Sequence, residues 1–469
     1  MAGLAGGGKR SEDSMTRLLY SFLMWLAQPF LRRKLAQRGV QEPGYLEAVE
    51  EHFAYFTDTA SPWASNGNTF WVHAVSLGET RAAAVLVARL REQFPGMRLL
   101  LTHGTATGRA EGASLLHTGD IQTWQPWDTP AAVQRFLAHF RPRIGILMET
   151  EIWPNLAAGC QRMGIPLVLA NARLSLVSLQ GTRRLAWLAR PAYRSLAAVW
   201  AQTQDDAARL KALGAPVQGV VGSLKFDATP KADQLATGRA WRTRAGRPVV
   251  MFASSREGEE QALLRILKSS QSPAPVDQTH FAIDSIASDV QWLIVPRHPQ
   301  RFDEVAALIE DHGFAVSRRS AWRDGPAPEV GLPSTAERPD AGVIWLGDSL
   351  GEMALYYGLA DVALLGGSFE PLGGQNLIEA AACACPVVMG PHIFNFAEVA
   401  ELAQAAGAAL RVPSLQLAVA AAQTLAEDSA SRAAMVSAAV GFSSAHRGAV
   451  EKTVAAVVAL LGQQDVNAL

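Results

Sequence analysis

Apolar residues in this chain fall into short continuous runs separated by helix-length mixed stretches. Thr69 to Val75, Arg98 to Thr102, Arg143 to Met148, Pro166 to Ala170, Ala198 to Ala201 and Val217 to Val221 form one series. Pro248 to Ala253, Trp292 to Val295, Gly342 to Leu346, Ala360 to Leu365 and Pro386 to Met389 form a second. A short apolar run bounded by turn residues is the mark of a buried strand. Strands that alternate with helices predict βαβ units and parallel sheets. The pattern therefore predicts an α/β protein of two Rossmann-like, doubly wound domains, residues 41–228 and 229–469. A hinge is expected where Val221 to Asp227 leads into a polar segment with Pro230. Residues 270–290 have no strong period and predict a surface insertion. After Phe396 the chain is alanine-rich and reads as helical to its end. Its last helix, about Ala445 to Leu461, is a candidate to cross back onto the first domain.

The polar and glycine residues gather where strands end and helices begin. In open α/β sheets the ligand crevice lies outside those strand ends. The richest such stretch is Gly366 to Glu379, with Gly366, Gly367, Gly373 and Gly374 between two apolar runs. It predicts a glycine loop opening a helix near Gln375. Free backbone N–H groups and the helix dipole would make that end an anion site. Glu379, one turn on, could accept hydrogen bonds from a ribose diol. The plainer reading is an αβ loop shaped only by its turns.

The N-terminus differs. Residues 1–17 are glycine-rich and charged and are expected to be disordered. Leu18 to Leu31 is apolar, preceded by Lys9, Arg10 and Arg17 and followed by Arg32, Arg33, Lys34 and Arg38. As a helix, this stretch reaches only about 21 Å, short of the roughly 30 Å hydrocarbon core. No small-residue cleavage site follows it. Residues 1–40 are expected to form a membrane-anchor segment, embedded in or lying on one leaflet, with its cations toward anionic lipid. The alternative is a soluble helix packed on the catalytic domain.

Length and composition narrow the class. A chain of 469 residues with 49% hydrophobic and 18% charged residues is large enough for two cores. Its net charge of −1 gives no reason to expect nucleic acid as a partner. Cys160, Cys383 and Cys385 do not make a disulfide framework, and the Cys383–Cys385 spacing is a weak metal signal.

Several motifs occur in order: His73 to Glu79 (HAVSLGE), Thr105 to Gly108 (TATG), Glu149 to Asn155 (ETEIWPN) and Gly222 to Asp227 (GSLKFD). Pro296 to Pro299 (PRHP), Gly347 to Glu352 (GDSLGE) and Gly373 to Asn376 (GGQN) complete the series. Each is weak alone. Together they resemble the 3-deoxy-D-manno-octulosonic acid (Kdo) transferases, over nearly the whole chain from about Leu18. Arg256 and Gln375 stand where that family usually has His, which predicts altered donor-site detail.

The resemblance implies a B-type glycosyltransferase fold, its two domains facing a cleft. It implies an inverting transfer of Kdo from CMP-Kdo to a lipid A precursor, at the cytoplasmic face of the inner membrane. By resemblance Glu79 is the base, and Glu149 and Lys225 stabilise the transition state. Pro296, Arg297, Leu350, Gly351, Glu352, Asn376, Leu377, Ile378 and Glu379 hold CMP. No cofactor is implied. The chain contains no Asp-x-Asp, so a metal bridging the phosphate is not indicated; helix N-terminal amides with Lys225 and Arg297 could stabilise it instead. Other readings stay open. Glu79 could serve only the helix dipole. Lys225 could be a solvated lysine, and His73, Trp153, Pro154 and His392 read as structural. Of Glu149 and Glu151, one is expected to face the cleft. Another nucleotide-sugar enzyme, such as a UDP-sugar transferase or epimerase, and a non-catalytic nucleotide-sugar binder are the competing functions.

Overall fold

A computed structural model describes residues 7–56, 67–227, 229–271, 290–326 and 342–467. The chain divides into two compact units, one of Met1–Asp227 with Arg447–Leu469, the other of Ala228–His446. Most of the insertion expected at 270–290, and residues 1–6 of the tail, lie outside the described residues.

The first unit opens with α1 (Gly7–Gln41), then β1 (Thr69–His73), α2 (Leu77–Gln93), β2 (Arg98–His103) and α3 (Ala106–Gly112). There follow β3 (Ile121–Trp124), α4 (Pro130–Phe140), β4 (Ile144–Met148), α5 (Pro154–Arg162) and β5 (Leu167–Ala172). A helix pair, α6 (Leu176–Arg184) and α7 (Ala186–Arg194), precedes β6 (Ala198–Ala201), α8 (Gln204–Ala212) and β7 (Val217–Val220). The strands form one parallel sheet in the order β3-β2-β1-β4-β5-β6-β7. Alternation along each strand serves two cores. Phe70, Val72, Leu99, Leu101 and Ile146 pack on one face, with Ala83, Leu86 and Leu90 of α2. Trp71, Leu100, Leu147 and Leu169 pack on the other, with Phe136, Leu156 and Leu210.

The second unit contains α9 (Ala232–Arg244), β8 (Val249–Ser255), α10 (Glu259–Gln271), β9 (Gln291–Pro296), α11 (Phe302–Asp311) and β10 (Ala315–Arg318). It continues with β11 (Val343–Leu346), α12 (Met353–Leu359), β12 (Val362–Leu365), α13 (Ile378–Ala382) and β13 (Val387–Met389). It ends in α14 (Ala397–Ala405), β14 (Ala409–Arg411), α15 (Leu415–Glu427) and α16 (Ser429–Ala445). Its parallel sheet runs β10-β11-β9-β8-β12-β13-β14. Helices α9 and α12 cross closely enough to require glycine. A Cβ on Gly238 would lie 2.1 Å from the Leu355 carbonyl oxygen, and one on Gly358 would lie 2.6 Å from that of Leu235.

The last helix, α17 (Ala449–Asn467), packs back on the first unit. Val450, Val454, Val457 and Leu461 join the core of α2 and β1. The Asp227 carboxylate fastens its start, accepting from the Gly448 and Val450 N–H groups at 2.6 Å each.

Four expectations change. The apolar pattern missed the short strands β3, β10 and β14; the last also interrupts the helical tail expected after Phe396. Residues 7–17 belong to α1, not to a disordered tail. That helix has 35 residues, about 52 Å, because the Arg-, Lys-, Leu- and Gln-rich stretch after Leu31 keeps helix propensity although it is no longer apolar. Finally, the helix after the glycine loop starts at Ile378, not near Gln375, and has only five residues. Gly373 and Gly374 take left-handed φ values of 90° and 75°. The Asn376 side chain then accepts from the Ile378 N–H at 3.1 Å, a local bond that competes with helix.

Candidate active site

In the first sheet the chain moves from β1 outward through β2 and β3, then returns to β4 on the other side of β1. The gap between the ends of β1 and β4 is thus a topological switch point, where open α/β sheets bind ligands. Glu79 follows β1 and Glu149 follows β4.

Glu79 stands in the first turn of α2. Ser76 caps that helix, its Oγ accepting from the Glu79 N–H at 3.4 Å. The carboxylate reaches back, taking the Val75 N–H on Oε2 at 2.9 Å and the Ser76 hydroxyl on Oε1 at 3.0 Å. This is a reciprocal helix cap, so the structural reading of Glu79 is real. It does not exhaust the residue. Burial pushes its carboxyl up to about 7; the Val75 N–H opposes this, and the charges of Glu149 and Glu151 add to it. Such a group changes protonation near neutrality, as a general base needs. The Thr105–Gly108 motif supports the same turn. The Thr105 hydroxyl donates to the Val75 carbonyl at 2.9 Å. A Cβ on Gly108 would meet that oxygen at 2.9 Å.

Glu149 adopts φ 58°. A left-handed backbone at a non-glycine residue costs on the order of 1–3 kcal/mol and collects at functional sites. It is pinned by its N–H to the Ala170 carbonyl at 3.0 Å and by the Arg173 N–H to its own carbonyl at 3.2 Å. Lys225 Nζ lies 2.8 Å from its Oε1. Lys225 sits on a 3-10 turn, Leu224–Asp227, whose first N–H donates to Asn171 Oδ1 at 3.0 Å. Asn171 is fully buried at the end of β5 and also left-handed, with φ 53°. So Lys225 is an ion-pair partner, not a solvated lysine. Asn171, which aims it, was not singled out from the sequence; its one signal is a polar residue ending an apolar strand. Burial raises the Glu151 carboxyl, the other acid of this loop.

His73 is structural. Its Nδ1 lies 2.9 Å from Thr102 Oγ1, and burial lowers it to about 3, with His103 adding to this. Pro154 opens α5, whose N-terminal Asn155 and Leu156 N–H groups donate to the buried Asp128 carboxylate at 2.9 and 2.8 Å. Across that joint, the Ser21 hydroxyl on α1 donates to Asn155 Oδ1 at 3.0 Å.

The second sheet has its own switch point, between β8 and β12. Here backbone approaches backbone. A Cβ on Gly366 would lie 2.2 Å from the Ser254 carbonyl oxygen, and one on Gly390 would lie 2.3 Å from that of Ser368. The glycine loop does not leave all its amides for an anion. Glu259, buried at the start of α10, accepts from the N–H groups of Gly367 at 2.8 Å, Phe369 at 3.2 Å and Arg256 at 2.9 Å. Two amides of the loop, those of Gly367 and Phe369, thus turn inward, and the helix expected near Gln375 is the five-residue α13 that begins at Ile378. Arg256 and Gln375, the two departures, flank Gly367: a Cβ there would lie 3.3 Å from Gln375 Nε2 and 3.7 Å from Arg256 Cγ.

The remaining predicted residues fall on three strand ends of this unit. Pro296 ends β9, and the Arg297 N–H donates to the Ser255 carbonyl at 3.0 Å. Beyond β11, Leu350 is 72% exposed. Gly351 turns with φ 74°, its carbonyl accepting from Gln234 Nε2 at 3.0 Å. Glu352 is paired with Arg319 at 2.8 Å and takes the Ser349 hydroxyl. After β12, Asn376 makes its local bond to Ile378, Leu377 and Ile378 are buried, and Glu379 lies in the first turn of α13. Cys383 and Cys385 are buried, and burial pushes the Cys383 thiol up to about 12. Among the described residues no group of three or more His, Cys, Asp or Glu side chains is placed to hold a metal ion.

Residues 47–228 match a family profile described as 3-Deoxy-D-manno-octulosonic-acid transferase (kdotransferase). A 3-deoxy-D-manno-octulosonic acid transferase of Bordetella pertussis is 46% identical over 84% of this chain and 87% of its own length. One from Haemophilus influenzae is 30% identical over 82% of this chain and 84% of its own. A solved structure from Listeria monocytogenes, assigned as a UDP-N-acetylglucosamine 2-epimerase, superposes with TM-score 0.50. It is 13% identical, covers 83% of this chain and 95% of its own, and shares the two-domain α/β fold alone. With close to half its residues shared with a curated relative over most of both chains, this chain belongs to the 3-deoxy-D-manno-octulosonic acid transferase family.

Proposed function

We propose that this glycosyltransferase moves Kdo from CMP-Kdo to a lipid A precursor, with inversion at the anomeric carbon. The observation that carries the reading is Glu79: a partly buried carboxyl, raised to about 7, beside a lysine-paired glutamate at a sheet switch point. In its charged form Glu79 takes the proton of the acceptor hydroxyl as that oxygen bonds to the anomeric carbon. The bond from that carbon to the CMP phosphate breaks, and CMP leaves with the electron pair. Glu149 and Lys225 stabilise the charge that develops during transfer. In the second unit Pro296, Arg297, Leu350 to Glu352 and Asn376 to Glu379 hold CMP, with Arg256 and Gln375 altering the contacts around Gly367.

The acceptor being a lipid, α1 brings the enzyme to the inner membrane. Its amphipathicity is inverted. Tyr20 and Ser21 turn inward, while Leu18, Leu19, Phe22, Leu23, Trp25, Leu26 and Phe30 are exposed. Among the described residues no helix is long and apolar enough to cross a membrane, which favours a helix lying on the cytoplasmic leaflet.

Purified protein incubated with CMP-Kdo and a lipid A precursor should give Kdo-lipid product by mass spectrometry. Product from a UDP-sugar and none from CMP-Kdo overturns the reading.

A further inference from the structure

A second surface shares the character of α1. Residues 173–198 contain five arginines, Arg173, Arg183, Arg184, Arg190 and Arg194, and no Asp or Glu, in a chain with 43 acidic residues. Leu176, Val177, Leu185 and Trp187 are exposed there, Val177 at 80%. Isolated exposed apolar residues are ordinary, but several on adjoining helices, set among cations, mark an interaction surface. Helix α7 packs against α1 and α5, so the patch lies beside α1. It also adjoins the candidate site: α6 directly follows the end of β5, where the Arg173 N–H donates to the Glu149 carbonyl at 3.2 Å.

We propose that the α6–α7 pair is a second lipid-docking element. It seats Leu176, Val177 and Trp187 in the surface of an anionic bilayer beside α1, with Arg183, Arg184 and Arg190 on lipid headgroups. The inference rests on the reading of the acceptor as a membrane lipid. The occupant is a bilayer because both elements set exposed apolar groups beside cations, and residues 173–198 carry no acid, the complement of an anionic leaflet. Two contacts define an orientation where one helix leaves the enzyme free to roll, and here the second contact lies next to Glu149.

The test uses the full-length protein and vesicles of phosphatidylcholine with or without phosphatidylglycerol, read by co-sedimentation. Leu176→Glu with Val177→Glu should weaken binding to anionic vesicles by about tenfold or more, through lost apolar burial. Arg183→Gln with Arg184→Gln should lower it about tenfold on anionic vesicles and leave neutral vesicles unaffected. Both variants should keep the wild-type melting temperature and act normally on a water-soluble acceptor, while their KM for a vesicle-embedded acceptor rises. A third variant, Leu19→Glu with Phe22→Glu, tests α1 alone. If it loses binding while the α6–α7 variants bind as wild type, the second element is refuted and the membrane reading stands. If the wild-type protein ignores both kinds of vesicle, both fall.

Discussion

The two sheets place their switch points at equivalent positions, between the first strand and the strand that returns beside it, yet fill them with different chemistry. In the first unit the loops after β1 and β4 present ionisable side chains: Glu79, Glu149, Glu151 and, through β7, Lys225. In the second the loops after β8 and β12 present glycines and left-handed backbone, with a buried carboxylate, Glu259, turned inward to hold the loop. One end presents groups that can exchange a proton and the other a shaped backbone. That division fits a transferase in which the base acts on one substrate and a nucleotide is held by a second unit. It also explains why substitutions in the two regions should separate turnover from nucleotide affinity.

The sharpest way to break this contrast is Glu79→Gln. A positioned base contributes about 10² to 10⁴-fold, so transfer should fall by that factor, with CMP affinity by calorimetry unchanged. A variant with near wild-type turnover moves the base elsewhere, with Glu149 the next candidate. The pH dependence should go with it. Wild-type turnover should rise through about pH 7 as Glu79 loses its proton, and the variant should lack that limb. Stability has the opposite sense. Because the folded carboxyl is raised, its stabilising protonated form is complete below the ordinary carboxylate range and is lost as pH rises through about 7. The melting temperature of Glu79→Gln should therefore gain on wild type between pH 5 and pH 8.

Arg297→Ala probes the other side. Charge-assisted bonds to a phosphate contribute roughly 1.5–3 kcal/mol, so CMP affinity should drop by about one to two powers of ten. Unchanged affinity removes Arg297 from the donor site. A smaller effect is expected from Glu259→Gln, which keeps the volume but replaces one carboxylate oxygen with a donor. Losing acceptance from one or two loop N–H groups costs about 1–2 kcal/mol. It should appear as a lower melting temperature together with weaker CMP binding, the signature of a shaped loop. Smallest is Asp227→Asn. It weakens the cap of α17 by about 1 kcal/mol and should lower the melting temperature of the first unit while leaving CMP affinity intact.

The central strands were legible because β1, β4, β5, β8 and β12 are apolar on both faces, and no other element buries such short runs so completely. The edge strands β3, β10 and β14 were not, since Gln122, Arg318 and Arg411 dilute their pattern. Of the site, the sequence supplied the candidate residues, through motifs whose spacing matches strand ends. The same motifs hid other roles. Asp227 proves to cap the last helix, and Thr105 and Gly108 to brace the turn that carries Glu79.

Sequence by itself determined the class, two doubly wound parallel-sheet units, because burial on both faces and helix-length spacing are local properties of the chain. It also determined which carboxylates stand at strand ends. Only the tertiary structure decided their states. Glu79 is raised because burial and two neighbouring acids, distant in sequence, act on it together; Lys225 meets Glu149 because Asn171, far from both in sequence, fixes the turn between them. Likewise two amides of the glycine loop, those of Gly367 and Phe369, were claimed by Glu259, more than a hundred residues earlier. Ionisation and hydrogen bonding depend on what lies within a few ångströms in space, and spacing along the chain does not encode that.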